Sequence, residues 1–557
     1  MHHGILAASL ALLVAASSAA SAKDPAVASL EQGWSQDDRD WFHSFSQGSQ
    51  LMPYNWFRNL ENPGDARPFR AGIPQRYGYL ARPLTKDNPD GLPVGFAIDK
   101  TRLQWWIGLT CAACHTGRVA YNGKVVQIDG APTHGDLFGF LNGLGDAMVA
   151  TRNDPAKLDR LYQRLKPALP PGEQTQAKFA AAFAAASDNM AAFVAQSRSP
   201  HAWGPARADA FGMIFNRVGA IDIGIAANAL PPAAPVSYPF LWSTNVQTKT
   251  QWNGLVGDNT NEAVRLGRNV GELLGVFGRA PNLSKPAGFR LDRYAATVRI
   301  DNLNKADRLI GILEPPKWWQ ELPPLDPALV RAGQAIYARA GCSSCHAPAT
   351  LPYGGRPIVA VLTALGEIGT DPVAATDSHN RDLRTGSLAG RRVLPLIGQP
   401  LQPVEPAAAL LGQVVIGTIA SNLFGPTADG SVAVPVPERR TQADPTERPA
   451  IVKQGERTPL AYKGGPLEGI WATAPYLHNG SVPDLWSLLL PPASRPTSFS
   501  VGSIEYDAEK GGFRSQAGAG SFTFDTRLPG NSNAGHTYGT ALNDAERRAL
   551  VAYLKSL

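Results

Sequence analysis

The stretches CAACH at residues 111–115 and CSSCH at residues 342–346 decide how this sequence is interpreted. Together they contain all four cysteines of the 557-residue chain. A Cys-x-x-Cys-His pattern is the attachment site of c-type haem: both thiols form thioethers with the porphyrin, and the histidine becomes an axial ligand of iron. The sequence therefore predicts two covalently attached haems.

Other uses of paired cysteines fit the two motifs less well. The predicted haem-binding residues are Cys111, Cys114 and His115 at the first motif and Cys342, Cys345 and His346 at the second. A zinc ribbon has its cysteine pairs about 15–20 residues apart, whereas these begin at positions 111 and 342. Neither a zinc ribbon nor a pair of thioredoxin-like redox motifs accounts for the adjoining histidines.

The N-terminus predicts a cleaved secretory signal over residues 1–22. Residues 5–16 (ILAASLALLVAA) form an apolar run too short to span a bilayer, and residues 20–22 have the Ala-x-Ala form of a signal-peptidase site. A membrane anchor needs about 20 apolar residues, and we expect no membrane span elsewhere in the chain. Covalent haem attached outside the cytosol predicts a periplasmic or secreted protein.

Charge and composition predict a globular protein that does not bind nucleic acid. The formal net charge is +6, and the four propionates of two haems would reduce it to about +2. Lysines and arginines are scattered without a long basic run. With 44% hydrophobic residues, a mature chain of roughly 535 residues is long enough for two to four domains.

We expect a mainly α protein with two cytochrome c-type haem domains, long loops and insertions. Residues 23–320 would form the N-terminal haem domain, with aromatic and Pro-rich insertions, and residues 325–557 the C-terminal cytochrome c domain. Apolar periodicity predicts helices over residues 137–150, 156–167, 174–197, 261–275 and 301–313.

The C-terminal domain has the two terminal helices of a cytochrome c fold. A helix over 327–339 precedes the second motif and carries Gly333, which permits close helix approach, and Tyr337, an aromatic cover for the haem edge. The sequence NDAE at 543–546 resembles a capping box and begins an amphipathic helix that continues to residue 557. We expect the two helices to cross.

Methionine usage predicts the type of sixth ligand at the second haem. Many cytochromes c use a Met sulfur, but no methionine follows Met213. The preferred donor is His536, which ends the loop GNSNAGH directly before the last helix. His478 is the rival, with a hydrogen-bonding role near the haem edge as its alternative; His379 or an open position is the remaining option.

The chain resembles the bacterial di-haem cytochrome c peroxidase superfamily, and most closely its branch with the rubber oxygenases and a fatty-acid dioxygenase. The tracts that carry the resemblance are GLTCAACHTG at 108–117, GPLEGIWATAPYLHNGSV at 465–482 and GNSNAGH at 530–536. The resemblance implies that the N-terminal haem is catalytic, with His115 as its single protein ligand. It also implies that His346 and His536 hold the C-terminal haem. The chain looks shorter than the rubber oxygenases, so a polymer channel does not follow.

The pocket beside His115 would determine the chemistry, because an iron held by one histidine leaves a face for O2 or H2O2. The candidate wall residues are Phe240, Trp242 and Trp252, aromatics near a Pro-rich loop whose alternative role is core packing. His134 could fold back and close the sixth position, although a solvated turn histidine is the commoner role for a residue in such a loop.

Arg268 and Asn269 would donate hydrogen bonds to bound oxygen or to a propionate, unless the arginine faces solvent. We expect an oxidoreductase whose first haem activates O2 to oxygenate an unsaturated apolar small molecule or polymer, while the second relays electrons. The alternatives are a peroxidase that reduces H2O2 with electrons from a small redox protein and a non-catalytic electron-transfer cytochrome. The residues leave open whether a Ca²⁺ ion lies between the domains.

Overall fold

A computed structural model describes residues 27–557 of the chain. Within that range it leaves out residues 170, 276–277, 279–282, 285–290, 347–356, 394–398, 426–459, 516 and 519–520. The signal peptide predicted over residues 1–22 lies outside the described residues.

The helices of the described residues are numbered α1 to α15 in chain order. They are α1 (Gln36–Phe42), α2 (Tyr54–Asn59), α3 (Ile73–Tyr77), α4 (Leu137–Asn153), α5 (Pro155–Leu165), α6 (Gln176–Gln196), α7 (Ala210–Asn216), α8 (Glu262–Gly275), α9 (Ile300–Ile312), α10 (Pro327–Arg339), α11 (Leu365–Ile368), α12 (Val373–Asn380), α13 (Ala407–Phe424), α14 (Leu485–Leu488) and α15 (Asp544–Ser556). The helices predicted from apolar periodicity are confirmed as α4, α5, α6, α8, α9, α10 and α15, with small shifts at their ends.

The strands are short and are numbered in the same way. They are β1 (Ala28–Ser29), β2 (Met52–Pro53), β3 (Phe96–Lys100), β4 (Trp105–Leu109), β5 (Thr116–Tyr121), β6 (Lys124–Asp129), β7 (Arg207–Ala208), β8 (Val236–Ser237), β9 (Val361–Ala364), β10 (Asp382–Arg384), β11 (Val404–Pro406), β12 (Ala461–Gly464), β13 (Ser498–Val501), β14 (Tyr506–Asp507), β15 (Gly512–Phe513) and β16 (Phe522–Asp525). Two sheets have three strands, in the orders β1-β6-β5 and β2-β4-β3, and the other sheets are two-stranded.

The expectation of a mainly α protein is wrong. The chain is 43% helical and 15% strand, so the fold is mixed α and β. The strands lie in segments for which apolar periodicity predicted no helix, and runs of two to six residues carry too little periodicity to be predicted as strands. The two predicted cytochrome c-type domains are corrected as well, since a cytochrome-like domain is identified once, in the C-terminal half.

The first Cys-x-x-Cys-His motif lies between two β-hairpins. Before it, β3 and β4 pair antiparallel from Phe96 opposite Leu109 onward. After it, β5 and β6 pair antiparallel with Thr116 opposite Asp129. The turn of this second hairpin is Asn122-Gly123, whose φ angles are 50° and 77°. An Asn-Gly pair adopts this left-handed geometry readily, which makes it a strong signal for a tight hairpin.

The second motif follows α10, which packs against α15 as predicted. Gly333 permits the close crossing, because a Cβ at this position would overlap the carbonyl oxygen of Ala549. Asn543 and Glu546 form the predicted capping box at the start of α15. This crossed pair of helices, with the motif between them in sequence, supports the cytochrome-like character of the C-terminal half.

The hydrophobic cores connect the two halves of the chain. One core cluster contains Trp34 and Trp242 from the N-terminal half together with Trp471 and Tyr506 from the C-terminal half. In another cluster α13 packs on α8, where Gly271 leaves room for Val415. Packing between the halves therefore fixes how the two motifs are placed relative to each other.

Candidate haem sites

Both motifs have the same local backbone. A single 3-10 turn runs over Cys111–Ala113 in the first and over Cys342–Ser344 in the second. The backbone N–H of the motif histidine then donates to the carbonyl of the first cysteine at 2.9 Å in each case. This turn brings two thiols and one imidazole to the same cavity wall, as covalent haem attachment requires.

The imidazole of each motif is held in one tautomer. Nδ1 of His115 lies 2.9 Å from the carbonyl oxygen of Pro239, and Nδ1 of His346 lies 2.7 Å from that of Gly465. A carbonyl only accepts, so Nδ1 carries the proton and Nε2 keeps a lone pair for a metal. Burial lowers the pKa of His115 to about 4 and also lowers that of His346, which keeps both rings neutral.

The cavity lined by Cys342, Cys345 and His346, here called cavity 2, has a volume of about 190 Å³. His536 also lines it, and the ring centres of His346 and His536 are 6.3 Å apart. When two imidazoles bind the same metal ion from opposite sides, each with a metal–nitrogen distance of about 2 Å, their ring centres are roughly 6 Å apart. The two histidines therefore fit a haem iron between them.

Arg495 organises the loop that carries His536. Its guanidinium donates to the backbone carbonyls of Asn533, Gly535 and His536 at distances from 2.6 to 3.0 Å. The backbone N–H of His536 donates to the carbonyl of Ile368 at 2.8 Å. Sequence reasoning missed Arg495, since nothing near position 495 indicates that its side chain reaches a loop some 40 residues later.

His478 also lines cavity 2 but has a different environment. It stacks on Tyr462 with ring centres 3.9 Å apart, and burial lowers its pKa to about 3. The hydroxyl of Tyr462 donates to the carbonyl of Asp371 at 2.7 Å, which holds the stack in place. His379, on α12, is not among the residues that line either cavity.

The cavity lined by Cys111, Cys114 and His115, here called cavity 1, is larger, at about 600 Å³. Of the described residues that line it, the histidines are His115 and His346, and the ring of His346 is already positioned opposite His536 in cavity 2. Cavity 1 therefore has one histidine of its own.

Of the three aromatic residues predicted to form the cavity wall, two line the cavities and one lies in the hydrophobic core. Phe240 and Trp252 line both cavities, and Trp252 Nε1 donates to the carbonyl of Ser237 at 2.7 Å. Trp242 is fully buried in the core behind Phe240, stacked on it with ring centres 4.8 Å apart. The wall that the two cavities share thus contains Phe240 and Trp252, with Tyr238 beside them.

His134 lies away from the lining of cavity 1. It is buried and packs edge-on against Phe513, with ring centres 4.5 Å apart. Burial lowers its pKa to about 3. The His134 side chain therefore does not line the cavity that holds His115, although the backbone N–H of Thr133 donates to the carbonyl of Cys114 at 3.0 Å.

Helix α8 contributes polar groups to cavity 1. Arg268 and Asn269 line it, as does Glu272, which sequence reasoning missed. Gln251 donates to the Glu272 carboxylate at 3.0 Å, and burial raises the pKa of this carboxyl group. Helical spacing could have indicated Glu272, because a residue four positions after Arg268 lies on the same face of the helix.

Helix α13 supplies much of the apolar wall of cavity 1. The residues of α13 that line the cavity are Ala408, Leu411, Gly412, Val415 and Ile416. By length and composition α13 could also cross a membrane, with a mean hydropathy of 1.6 over 18 residues, of which 39% are buried. Core helices of soluble proteins have the same length and hydropathy.

The described part of the chain holds no cluster of three or more His, Cys, Asp or Glu side chains that could bind a further metal ion. The Ca²⁺ ion left open by the sequence therefore has no carboxylate cluster among these residues.

Comparison with known protein families identifies one segment of the C-terminal half. The family model described as RoxA-like, cytochrome c-like matches residues 461–500, which include Gly465 and His478. This match indicates a site for covalent c-type haem.

Two proteins of Sinorhizobium fredii (strain NBRC 101917 / NGR234) are similar to this chain, and both are described as uncharacterised. Protein y4iM is 40% identical over 91 residues, which cover 15% of this chain and 21% of that protein. Protein y4iJ is 33% identical over an alignment of 598 positions, which covers 95% of this chain and 93% of that protein. The chain therefore belongs to the family of y4iJ, and its residues 461–500 match a RoxA-like, cytochrome c-like domain.

Proposed function

We propose that this protein is a di-haem c-type cytochrome oxidoreductase that oxygenates an unsaturated apolar substrate at cavity 1 and relays electrons through cavity 2. The observation that carries the proposal is the difference between the two cavities. Cavity 2 offers the paired rings of His346 and His536 at 6.3 Å, whereas cavity 1 offers His115 and about 600 Å³ of space.

When bound at His115, the haem would supply an iron that activates O2. The chain's own contribution is to orient and to exclude water. The Pro239 carbonyl holds the His115 ring in one tautomer. Leu411 and Ile416 of α13 present an apolar surface to the same cavity, which favours an apolar substrate over water.

The aromatic wall shared by the two cavities supports electron relay. Tyr238, Phe240 and Trp252 line both, so no long stretch of protein separates the two attachment sites. A small redox protein would deliver electrons at cavity 2. We also propose a periplasmic or secreted location and no role for nucleic acid, on the basis of the predicted signal peptide and the scattered basic residues.

Glu272 favours a second candidate function, the reduction of H2O2. A carboxyl group whose pKa is raised by burial keeps its proton to a higher pH than an exposed carboxyl group does, and peroxide cleavage requires a proton donor. An oxygenase that adds O2 to an apolar substrate has less need of a carboxyl group as proton donor.

The test compares O2 uptake with methyl oleate and H2O2 turnover with a reduced cytochrome or dye. The proposed oxygenase shows the first activity, and Glu272→Gln leaves it within a few-fold of the native rate. H2O2 turnover that falls by about 10²-fold or more in Glu272→Gln, with Glu262→Gln at the exposed start of α8 as the control, would instead assign the peroxidase function. Absence of both activities in a protein that carries two haems would leave electron transfer as the function.

A further inference from the structure

Two cationic side chains face cavity 1, and we propose that Arg268 and Lys463 together bind a carboxylate group there. The proposal rests on the proposed haem sites, because the carboxylate comes either from a haem propionate or from the acid end of an apolar substrate. Both sources present the same chemistry: one carboxylate attached to a large apolar body.

Lys463 enters the cavity from the short strand β12. Its backbone N–H donates to the carbonyl of Trp252 at 2.7 Å, which ties the strand to the aromatic wall. The Lys463 ammonium donates to Oε1 of Gln247 at 2.7 Å, and no carboxylate of the described residues lies within ion-pair distance of it. An ammonium has three donors, so two remain for a ligand. Lys463 lines both cavities.

Arg268 enters from α8 and also has neutral partners. Its guanidinium donates to the side-chain oxygens of Asn259 at 3.1 Å and of Asn269 at 3.0 and 3.2 Å. Glu272, one turn further along α8, hydrogen-bonds to Gln251 and lies outside ion-pair distance of Arg268 among the described residues. The charge of Arg268 lowers the pKa of the Glu272 carboxyl group, against the larger and opposite effect of burial. A guanidinium has five donors in a planar fork that suits a carboxylate.

The two cations lie close enough to affect each other. Burial and, as a smaller effect, the charge of Arg268 together lower the pKa of Lys463 to about 8. The same arginine also lowers the pKa of His115, after the larger effect of burial. A charge removed from water needs a partner of opposite sign, and an anion between Arg268 and Lys463 would supply it for both.

The remainder of cavity 1 selects for an apolar body behind that anion. Phe211, Phe240 and Leu255 line it together with the α13 residues. A small inorganic anion would leave this surface uncovered, whereas a porphyrin or a long hydrocarbon chain would cover it.

The experiment uses holoprotein that carries two haems, shown by intact mass. The variants are Lys463→Gln, Arg268→Gln and the charge-conserving Lys463→Arg, with the exposed Lys178→Gln on α6 as the control. Each is measured in two ways: a spectroelectrochemical titration of both haems without added ligand, and a spectral titration with oleate and with oleyl alcohol.

A propionate ligand predicts a lower reduction potential of one haem in Lys463→Gln and Arg268→Gln, because loss of a nearby cation favours the oxidised state. A substrate ligand predicts oleate binding about tenfold weaker in the same two variants, with oleyl alcohol unaffected. Lys463→Arg and Lys178→Gln should behave as the native protein in both titrations.

The proposal would be overturned if Lys463→Gln and Arg268→Gln both kept the reduction potentials and the oleate affinity of the native protein. If Lys463→Gln does not accumulate with two haems, the same two measurements on Arg268→Gln decide. A native protein with fewer than two haems would instead overturn the proposed function, and the oleate titration alone would then test the carboxylate site.

Discussion

The two Cys-x-x-Cys-His motifs share their local backbone but differ in the elements that flank them and in the cavities that they line. Cys111 lies between the strands β4 and β5, whereas Cys342 follows α10 in a crossed pair of helices. His346 faces a second histidine at 6.3 Å, whereas cavity 1 has one histidine of its own and about three times the volume. The comparison teaches that haem attachment is a property of five residues, while access to the iron depends on segments far away in sequence.

The largest effect is expected from removal of one attachment site at a time. Cys111→Ala with Cys114→Ala should remove one haem and all turnover, because cavity 1 is the proposed reaction site. Cys342→Ala with Cys345→Ala should remove the other haem and leave ligand binding at cavity 1. Intact mass and a haem-stained denaturing gel measure the haem content. If both double variants lost turnover and ligand binding to the same extent, the proposal that cavity 1 is the reaction site and cavity 2 relays electrons would be wrong.

The next effect concerns the ligand pair of cavity 2. His536→Ala should convert one low-spin haem to high-spin, because no other histidine faces His346 at a comparable distance in the described structure. His478→Ala is the control and should keep the spin state, since its ring stacks on Tyr462. Electron paramagnetic resonance measures both, and the reverse result would transfer the ligand role to His478.

Small exogenous ligands should distinguish the two sites in the native protein. Cyanide or imidazole should bind one haem, that of cavity 1, because His536 occupies the facing position in cavity 2. His536→Ala should make the second haem bind as well. Optical titrations count the sites. A native protein in which neither haem binds cyanide would show that cavity 1 is closed by a protein ligand, contrary to the placement of His134 against Phe513.

The smallest expected effect is a difference in thermal stability between the surroundings of cavity 2 and those of cavity 1. Gly333→Ala should destabilise the C-terminal helix crossing by about 1–3 kcal/mol, because the new methyl group would overlap the Ala549 carbonyl. Gly366→Ala is a matched control, since a Cβ at that position meets no atom within 4 Å. Thermal unfolding followed at the absorption of each haem should show the loss at cavity 2 first. A loss of the same size at cavity 1 would mean that the shared core makes the halves unfold together.

Much of the helical framework could be predicted from apolar periodicity. Helices α4 and α6 are long enough for the 3.6-residue pattern to repeat several times. The capping box at Asn543 marked the start of α15. The short strands could not be found in the same way, although Asn122-Gly123 carried a turn signal strong enough to predict the hairpin of β5 and β6. The mainly α expectation failed because it relied on periodicity alone.

Sequence by itself determined the chemistry of attachment: two thiols and a histidine at fixed spacing are sufficient, because the turn that presents them is local. It also excluded a methionine ligand after residue 213 and made His536 the preferred donor. Tertiary structure alone decided which residues meet across the cavities. Arg495 holds the His536 loop, and Glu272 and Lys463 face one cavity from different elements. The hydrogen bond from Lys463 to Gln247 joins positions 216 residues apart, and no local pattern encodes such contacts, because they depend on how helices and strands pack.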